Sequence, residues 1–237
     1  MSAMINSVSV IFPVYNEKEY VRIAVKEVSG VLNSMNADYE IIIVDDGSND
    51  GSSQIIDELM RINSKIKALH HRKNRGLGAA LKTGFSKASN DILIYSDTDL
   101  PCDLSRVKDI LPFSGEIDIF QGYRIGKRES LRRTLYFKIY NFIIKLIFKL
   151  RVKDVNCGFR IFKREILARI NLKSESSFIN VEFLGKAQKM GYKISEFGST
   201  YRPRKYGFSK LSSLNTIKKI LFELQKFYLE IKRANKK

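Results

Sequence analysis

The chain has 237 residues, 44% hydrophobic and 28% charged, a balance that allows one substantial domain with its own core and excludes an intrinsically disordered polymer. Its two cysteines, Cys102 and Cys157, are too few for a disulfide scaffold or a cysteine zinc centre and suit a reducing compartment, and the adjacent His70 and His71 point to opposite faces of a strand, so they make no chelating pair. The formal net charge of +17 is uneven: residues 1–121 hold 13 Lys+Arg against 17 Asp+Glu (net −4), residues 122–173 hold 15 against 3 (net +12) and residues 174–237 hold 14 against 5 (net +9), which implies two kinds of surface work.

In chain order, Ser7 to Val14 is a β-rich apolar run that stops near Pro13. It has no basic leader, and no 18-residue uncharged apolar run occurs anywhere, so neither a signal peptide nor a spanning helix is expected. From Glu17 to Met35 the apolar residues Val21, Ala24, Val25, Val28, Val31 and Leu32 recur with helical period. Tyr39 to Val44 predicts a second buried strand, 53–63 a helix, and 66–70 a short third strand. A glycine turn then leads into a helix over 78–88, followed by strands at 92–96 and 117–122. Strands alternating with helices predict an α/β fold: a Rossmann-like, mostly parallel central sheet flanked by helices, with ligands beyond the carboxyl ends of the strands. The first, second and fourth strands end there in PVYNE, DDGSND and SDTD.

The stretch YSDTDLPCDL places three carboxylates, Asp97, Asp99 and Asp103, within seven positions of a positively charged chain. Like charges this close repel, so something positive must offset them. Asp97 and Asp99, at i and i+2 on a strand-to-loop turn, suit a hard divalent cation, Mg²⁺ or Mn²⁺, shared with a substrate diphosphate. Asp45 and Asp46 follow the second strand; an aspartate there serves as a helix cap, and a second one can accept hydrogen bonds from a base or ribose. The run NRGLGAALKTG has Gly76 and Gly78, but Leu81 breaks the dinucleotide fingerprint and no Walker lysine is present, which leaves a ligand-adjacent loop or a plain turn.

The basic half carries two amphipathic stretches. In 131–151 Lys138, Lys145 and Lys149 fall near one helical face and nearly all else is apolar. The stretch fits either a buried helix with a wet stripe or an interfacial helix at anionic lipid. Residues 217–233 repeat the theme, with Ile217, Ile220, Leu221, Leu224, Tyr228 and Ile231 set against Lys218, Lys219, Lys226 and Lys232. Nucleic acid is the rival partner for such charge, but there is no zinc finger, RNP1 motif or helix-turn-helix, and basic residues interleaved with aliphatic runs suit a membrane better.

In order, PVYNE, VDDGSNDGS, NRGLGAA, SDTD, GYR, DVNCGFR and RKYGFSK resemble the family 2 inverting glycosyltransferases of the GT-A fold, nearest the dolichol- and polyprenyl-phosphate sugar transferases such as dolichol-phosphate mannose synthase. The resemblance spans roughly residues 7 to 211. It implies a nucleotide pocket at Pro13, Tyr15, Glu17 and Asp46, with Asp45, Gly76, Gly78 and Asp97 beside it, and metal and donor diphosphate at Asp97 and Asp99. It implies an acceptor-phosphate site at Arg124, Arg132 or Arg133, Arg204 and Lys210. The mannose synthases typically continue D-A-D-L-Q; Pro101 stands at the glutamine here, which leaves UDP-sugars open beside GDP-sugars. The expected division is a GT-A domain over 1–211, with a nucleotide-sugar half (1–121) and an acceptor and membrane-facing half (122–211), then a basic amphipathic helix at 212–237. The implied activity is sugar transfer to polyprenyl phosphate at the cytoplasmic face of a membrane. The alternatives are transfer to a sugar hydroxyl with Glu182 as general base, nucleotidyl transfer, which would need a Gly-rich basic loop near the N-terminus, and non-catalytic binding, against which the intact metal pair argues.

Overall fold

The computed structural model describes residues 7–113, 115–126, 131–203, 206, 222–225, 227 and 229, with the side chains of 131–133 and 135–137 outside that description. Seven strands form one sheet: β1 (Ser7–Val14), β2 (Asp38–Asp45), β3 (Ile66–His70), β4 (Ile92–Ser96), β5 (Ile119–Ile125), β6 (Phe159–Lys163) and β7 (Ile194–Thr200). The helices are α1 (Lys18–Ser34), α2 (Ser52–Ile62), α3 (Leu77–Lys87), the short α4 (Val107–Ile110), α5 (Leu131–Phe148), α6 (Glu165–Arg169) and α7 (Ile179–Lys189). The strand order is β3-β2-β1-β4-β6-β5-β7. Among the described strands, β1–β2, β2–β3, β1–β4 and β5–β7 are parallel, and only the pairings of β6 with β4 and β5 are antiparallel. The sheet is thus mostly parallel, as the alternating pattern predicted.

The central strands are apolar on both faces because helices cover both. One layer packs Val21, Ala24, Val28 and Leu32 of α1, Ile56 of α2 and Val107 of α4 against Val10, Phe12, Ile41 and Ile94. The other packs Leu81 and Phe85 of α3, Ile144 and Phe148 of α5 and Phe183 and Leu184 of α7 against Ile11, Ile42, Leu93 and Phe162.

At the opposite end of the sheet from the site, Glu40 is buried and fixes the start of β2. It accepts from Ser9 Oγ at 2.6 Å and from Ser89 N and Oγ at 2.7 Å each, and pairs with Lys67 Nζ at 2.5 Å. Burial alone would raise its pKa; Lys67 and the hydrogen bonds outweigh that and lower it to about 2. A carboxylate depressed on folding stabilises fully above its unfolded pKa and loses that contribution as pH falls through its folded one. Glu40→Gln is therefore expected to cost about 1–3 kcal/mol at neutral pH, with the gap between the two proteins closing between about pH 4.5 and pH 2. Urea melts across that range measure it; a constant gap would refute the assignment.

The antiparallel strand decides where function gathers. Because β6 runs against β4, it begins where β4 ends, with Phe159 opposite Ser96. The DVNCG segment before β6 therefore lies beside SDTD, and the last residues of β5, including Arg124, meet the same edge. β6, β7 and α7 fall where the sequence showed motifs but no clear period.

Candidate active site

At the carboxyl edge of β1 and β2 the PVYNE and DDGSND loops are laced together. Asn16 N donates to Ser48 Oγ at 2.9 Å, Asn49 N to Asn16 Oδ1 at 2.8 Å and Glu17 N to Ser52 Oγ at 3.0 Å. Pro13 O accepts from Thr98 Oγ1 at 2.8 Å, which joins this edge to the SDTD turn. Pro13, Tyr15 and Glu17 are half-buried along the rim.

Asp45 and Asp46 have distinct partners. Asp45 accepts from Ser48 N at 2.9 Å and Ser53 Oγ at 2.5 Å and meets His70 Nδ1 at 3.1 Å. It caps the turn before α2 rather than α2 itself, whose N-cap is Gly51. Asp46 is buried and accepts from Arg75 N at 2.9 Å and Gly76 N at 2.7 Å, with His71 Nδ1 at 2.7 Å. It thereby anchors the glycine loop. The two histidines turn to different aspartates, as their adjacency on a strand requires.

The glycine loop is bracketed from its other side too. Gly78 N and Ala79 N both donate to Glu175 O, at 2.9 and 3.4 Å. A Cβ at Gly78 would meet Ser174 O at 2.5 Å, so only glycine allows α3 to come this close to the 174–175 backbone. The N–H groups that a phosphate cradle would use at 75, 76, 78 and 79 are thus bonded within the protein.

The SDTD turn is the centre of the site. Asp97 N donates to Gly158 O at 2.8 Å, and Asp97 Oδ1 accepts from Tyr95 OH at 2.6 Å. Burial, then the charge of Asp97, raises the Tyr95 pKa well above its ordinary value, so the phenol stays a donor. The other oxygen, Oδ2, lies over Gly158, where a Cβ would stand 1.9 Å away. Asp103 differs from its two neighbours: its Oδ1 accepts from Ser105 N at 3.0 Å and from Arg202 at 3.1 Å, and Arg202 also pairs with Glu27 at 2.6 Å. Part of the positive charge that the acidic stretch demands is therefore Arg202. Asp97 and Asp99 are both half-buried carboxylates. Among the described residues no group of three or more His, Cys, Asp or Glu forms a metal cage. Such an all-oxygen pair fits Mg²⁺ or Mn²⁺ sharing its shell with a diphosphate and water, rather than a structural metal.

Across the edge, Arg124 is clamped by Asp154, with Nε to Oδ2 at 2.7 Å and one terminal nitrogen to Oδ1 at 2.9 Å; it also donates to Asn156 O at 3.2 Å. Arg124 is thus fixed on a carboxylate anchor that the sequence did not reveal. Cys102 and Cys157, both buried thiols, face each other at 3.3 Å between the SDTD loop and the DVNCG segment. The stretch that leads into RKYGFSK lies against the acidic loop. Arg202 N donates to Pro101 O at 3.2 Å, and Tyr206 packs edge-on against Tyr20 with ring centroids 5.6 Å apart. Arg204 and Lys210, and the side chains of Arg132 and Arg133, lie outside the described residues.

Glu182, the alternative base, is buried on α7. Its oxygens accept from Lys173 N at 2.9 Å and Ser174 N at 2.8 Å, and it pairs with Lys186 Nζ at 2.5 Å. Burial would raise its pKa, but Lys186 and the two N–H groups hold it below the ordinary range. It pins the 173–174 turn to α7 and is a weak proton acceptor there.

A mostly parallel sheet with a carboxylate pair at the end of its fourth strand defines the GT-A glycosyltransferase fold, and solved structures share it. Glucosyl-3-phosphoglycerate synthase from Mycobacterium tuberculosis in complex with uridine diphosphate aligns with TM-score 0.68 at 19% identity, covering 91% of this chain and 79% of that one. The mannosyltransferase PcManGT from Pyrobaculum calidifontis, in complex with GDP-Man and Mn²⁺, aligns with TM-score 0.59 at 18% identity, covering 85% and 58%. Residues 9–170 match the model of glycosyl transferase family 2, and the chain belongs to that family. Relatives include glycosyltransferase AglD of Haloferax volcanii (31% identical, 83% of this chain and 33% of AglD), the undecaprenyl-phosphate 4-deoxy-4-formamido-L-arabinose transferase of Pectobacterium atrosepticum (30%, 90% and 65%) and the polyprenol monophosphomannose synthase of Mycolicibacterium smegmatis (28%, 91% and 84%). The chain thus spans one third of the first relative and just under two thirds of the second. A glycosyltransferase family sets nucleotidyl transfer aside.

Proposed function

We propose that this chain transfers a sugar from a nucleoside diphosphate sugar to a polyprenyl phosphate at a membrane surface, with inversion at the anomeric carbon. The observation that carries this reading is the state of Glu182, the candidate general base, which is fixed under Lys186 and two backbone N–H groups. A hydroxyl acceptor needs a base, whereas an ionised phosphate is already a nucleophile. The named relatives that act on undecaprenyl phosphate or polyprenol support the same acceptor class.

In this reading Asp97 and Asp99 hold Mg²⁺ or Mn²⁺, which when bound acts as a Lewis acid toward the leaving diphosphate. Tyr95 and Gly158 set the Asp97 carboxylate. Pro13, Tyr15, Glu17 and the Asp46-anchored loop of Gly76 and Gly78 shape the nucleoside side, with Asp45 holding the turn behind them. Arg124, held by Asp154, stands on the acceptor side with Arg132 or Arg133, Arg204 and Lys210. One acceptor phosphate oxygen bonds to the anomeric carbon as its bond to the diphosphate breaks. Both UDP and GDP remain donor nucleotides for this site. The N-terminal 121 residues serve the donor, and 122–211 serve the acceptor.

The test is turnover with polyprenyl phosphate. Glu182→Gln is expected to lower the melting temperature, by about 1–3 kcal/mol of lost stability, while turnover per folded molecule stays within about tenfold of wild type. Arg204→Ala is expected to cost about 2–5 kcal/mol if it pairs with a desolvated phosphate. A loss of about 10²–10⁴-fold in folded Glu182→Gln, with Arg204→Ala active, would make the acceptor a hydroxyl.

The place of α5 supports membrane contact. Asn141, Ile144 and Phe148 face the core, whereas Ile139, Phe142, Ile143 and Leu146 are exposed, Phe142 and Leu146 at 66% and 69%. These four fall at i, i+3, i+4 and i+7, one helical stripe. The helix is therefore buried on one face and apolar outward on the other. No helix of the described residues is long and apolar enough to cross a membrane. Of the second amphipathic stretch, 217–233, the structure describes 222–225, 227 and 229, which are helical. We expect binding to anionic vesicles, on the cytoplasmic leaflet in the cell, that weakens with salt because each basic residue near the surface contributes about 1 kcal/mol within a Debye length of about 10 Å. Vesicle sedimentation of Phe142→Glu is expected to show at least about tenfold weaker partitioning, since burying such a side chain contributes about 1.5–3 kcal/mol. Equal partitioning of both proteins would remove α5 from the interface.

A further inference from the structure

Arg160 on β6 is among the largest fully buried side chains. Its Nε donates to Gln121 Oε1 at 2.6 Å, a terminal nitrogen reaches Asn180 Oδ1 at 3.4 Å, and the guanidinium lies 4.8 Å from the centroid of the Phe183 ring. Among the described residues no carboxylate ion-pairs with it. Burial pushes its pKa down to about 10, and the charge of Asp97 acts against that shift. A buried cation without an ion-pair partner costs several kcal/mol, so packing alone gives no reason to place arginine here.

Its neighbours supply one. Arg160 sits opposite Tyr95 in the β4–β6 ladder, and Tyr95 OH holds Asp97 Oδ1. Gln121, whose oxygen takes the Arg160 bond, donates through Nε2 to Asp154 O at 3.2 Å and Cys157 O at 3.4 Å. That segment carries Asp154, which clamps Arg124, and Gly158, which lies against Asp97. The guanidinium therefore stands under both sides of the site at once. We propose that Arg160 is a positioning residue: beside Tyr95, and through Gln121, it holds the Asp97 carboxylate and the Asp154–Gly158 segment in register, so that donor metal and acceptor phosphate are aligned. This rests on reading Asp97 as a metal ligand. A residue that only glues β5, β6 and α7 together would change stability and nothing else.

The experiment compares wild type with Asp97→Ala, Arg160→Met and Arg160→Lys, measuring Mn²⁺ affinity by calorimetry with UDP and with GDP, melting temperature, and turnover. Arg160→Met removes the charge at similar volume and is expected to melt near or above wild type, because replacing a buried charge with an apolar side chain is often neutral or stabilising. Its Mn²⁺ affinity is expected to fall about 10–100-fold, the usual loss when a residue behind a metal ligand is removed. Arg160→Lys keeps the charge but not the fork that spans Gln121 and Asn180. It is expected to hold Mn²⁺ within about threefold of wild type and to lose at least about tenfold in turnover. Mn²⁺ affinity of folded Arg160→Met within twofold of wild type overturns the proposal. Should Arg160→Met fail to fold, wild-type turnover of Arg160→Lys overturns it instead. Equal Mn²⁺ affinity of wild type and Asp97→Ala would overturn the metal reading and this inference with it.

Discussion

Asp99→Ala is expected to erase the dependence of nucleotide binding on divalent metal. Asp97 and Asp99 are two half-buried carboxylates just beyond the end of β4, joined to the PVYNE edge through Thr98. A metal held by two protein oxygens and a diphosphate loses half of its protein ligation with either substitution. The Lewis-acid contribution to departure of a diphosphate is several kcal/mol, and each 1.36 kcal/mol is tenfold in rate, so turnover is expected to fall by about 10³ or more. Calorimetry of UDP and GDP with Mg²⁺, with Mn²⁺ and with chelator reads the binding part. Wild type should bind tightly only with metal, and the variant should bind weakly in all three. An unchanged affinity across that set would separate this carboxylate pair from the donor.

Gly158→Ala should be nearly as damaging, although the glycine bears no functional group. A Cβ there would stand 1.9 Å from Asp97 Oδ2 and 2.2 Å from Cγ, with the backbone on both sides bonded: Asp97 N to Gly158 O, and Gly158 one residue from the start of β6. The carboxylate must rotate away, breaking its bond from Tyr95 OH, or β6 must move from β4. Overpacking of this kind typically costs about 1–3 kcal/mol of stability, a survivable loss. With Asp97 as a metal ligand, displacing its oxygen by about an ångström is expected to cost about 10²-fold in rate. The expected result is a folded protein with a modestly lower melting temperature, weak Mn²⁺ binding and at least about 10²-fold slower turnover. Wild-type metal affinity in Gly158→Ala would mean that Asp97 does not hold the ion in this pose.

The first five strands, the three long helices among them and the carboxyl-edge placement of PVYNE, DDGSND and SDTD were legible because each rests on short-range signals: apolar runs, helical period, glycine turns. The pairings that finish the site were not. Asp103 looks like Asp97 and Asp99 in sequence, and only the approach of Arg202, 99 residues on, distinguishes it. Asp154, Gly158 and Arg160 stood in a recognised motif, but their contacts depend on β6 running antiparallel, which no local periodicity encodes. The charged Arg160 also breaks the apolar run that would have marked the strand. Asp46, Gly76 and Gly78 stand in motifs plain in the sequence, yet the direction of their hydrogen bonds, inward to one another and to Glu175, is a tertiary fact.

The reversed strand also bears on whether the N-terminal half could ever be handled as a module. β6 comes from the second half of the chain but is inserted between β4 and β5, which come from or begin in the first. A fragment ending at residue 121 would keep PVYNE, DDGSND and SDTD yet leave β4 without its β6 neighbour, presenting an unpaired apolar edge of the kind that seeds aggregation. It would also lose the Gly158 carbonyl that fixes Asp97. Swapping N-terminal halves at that boundary is therefore expected to leave the Asp97 loop without its Gly158 partner. A working chimera is expected to need a graft carried through β6, because the Asp97 loop is closed by chain that arrives only after α5.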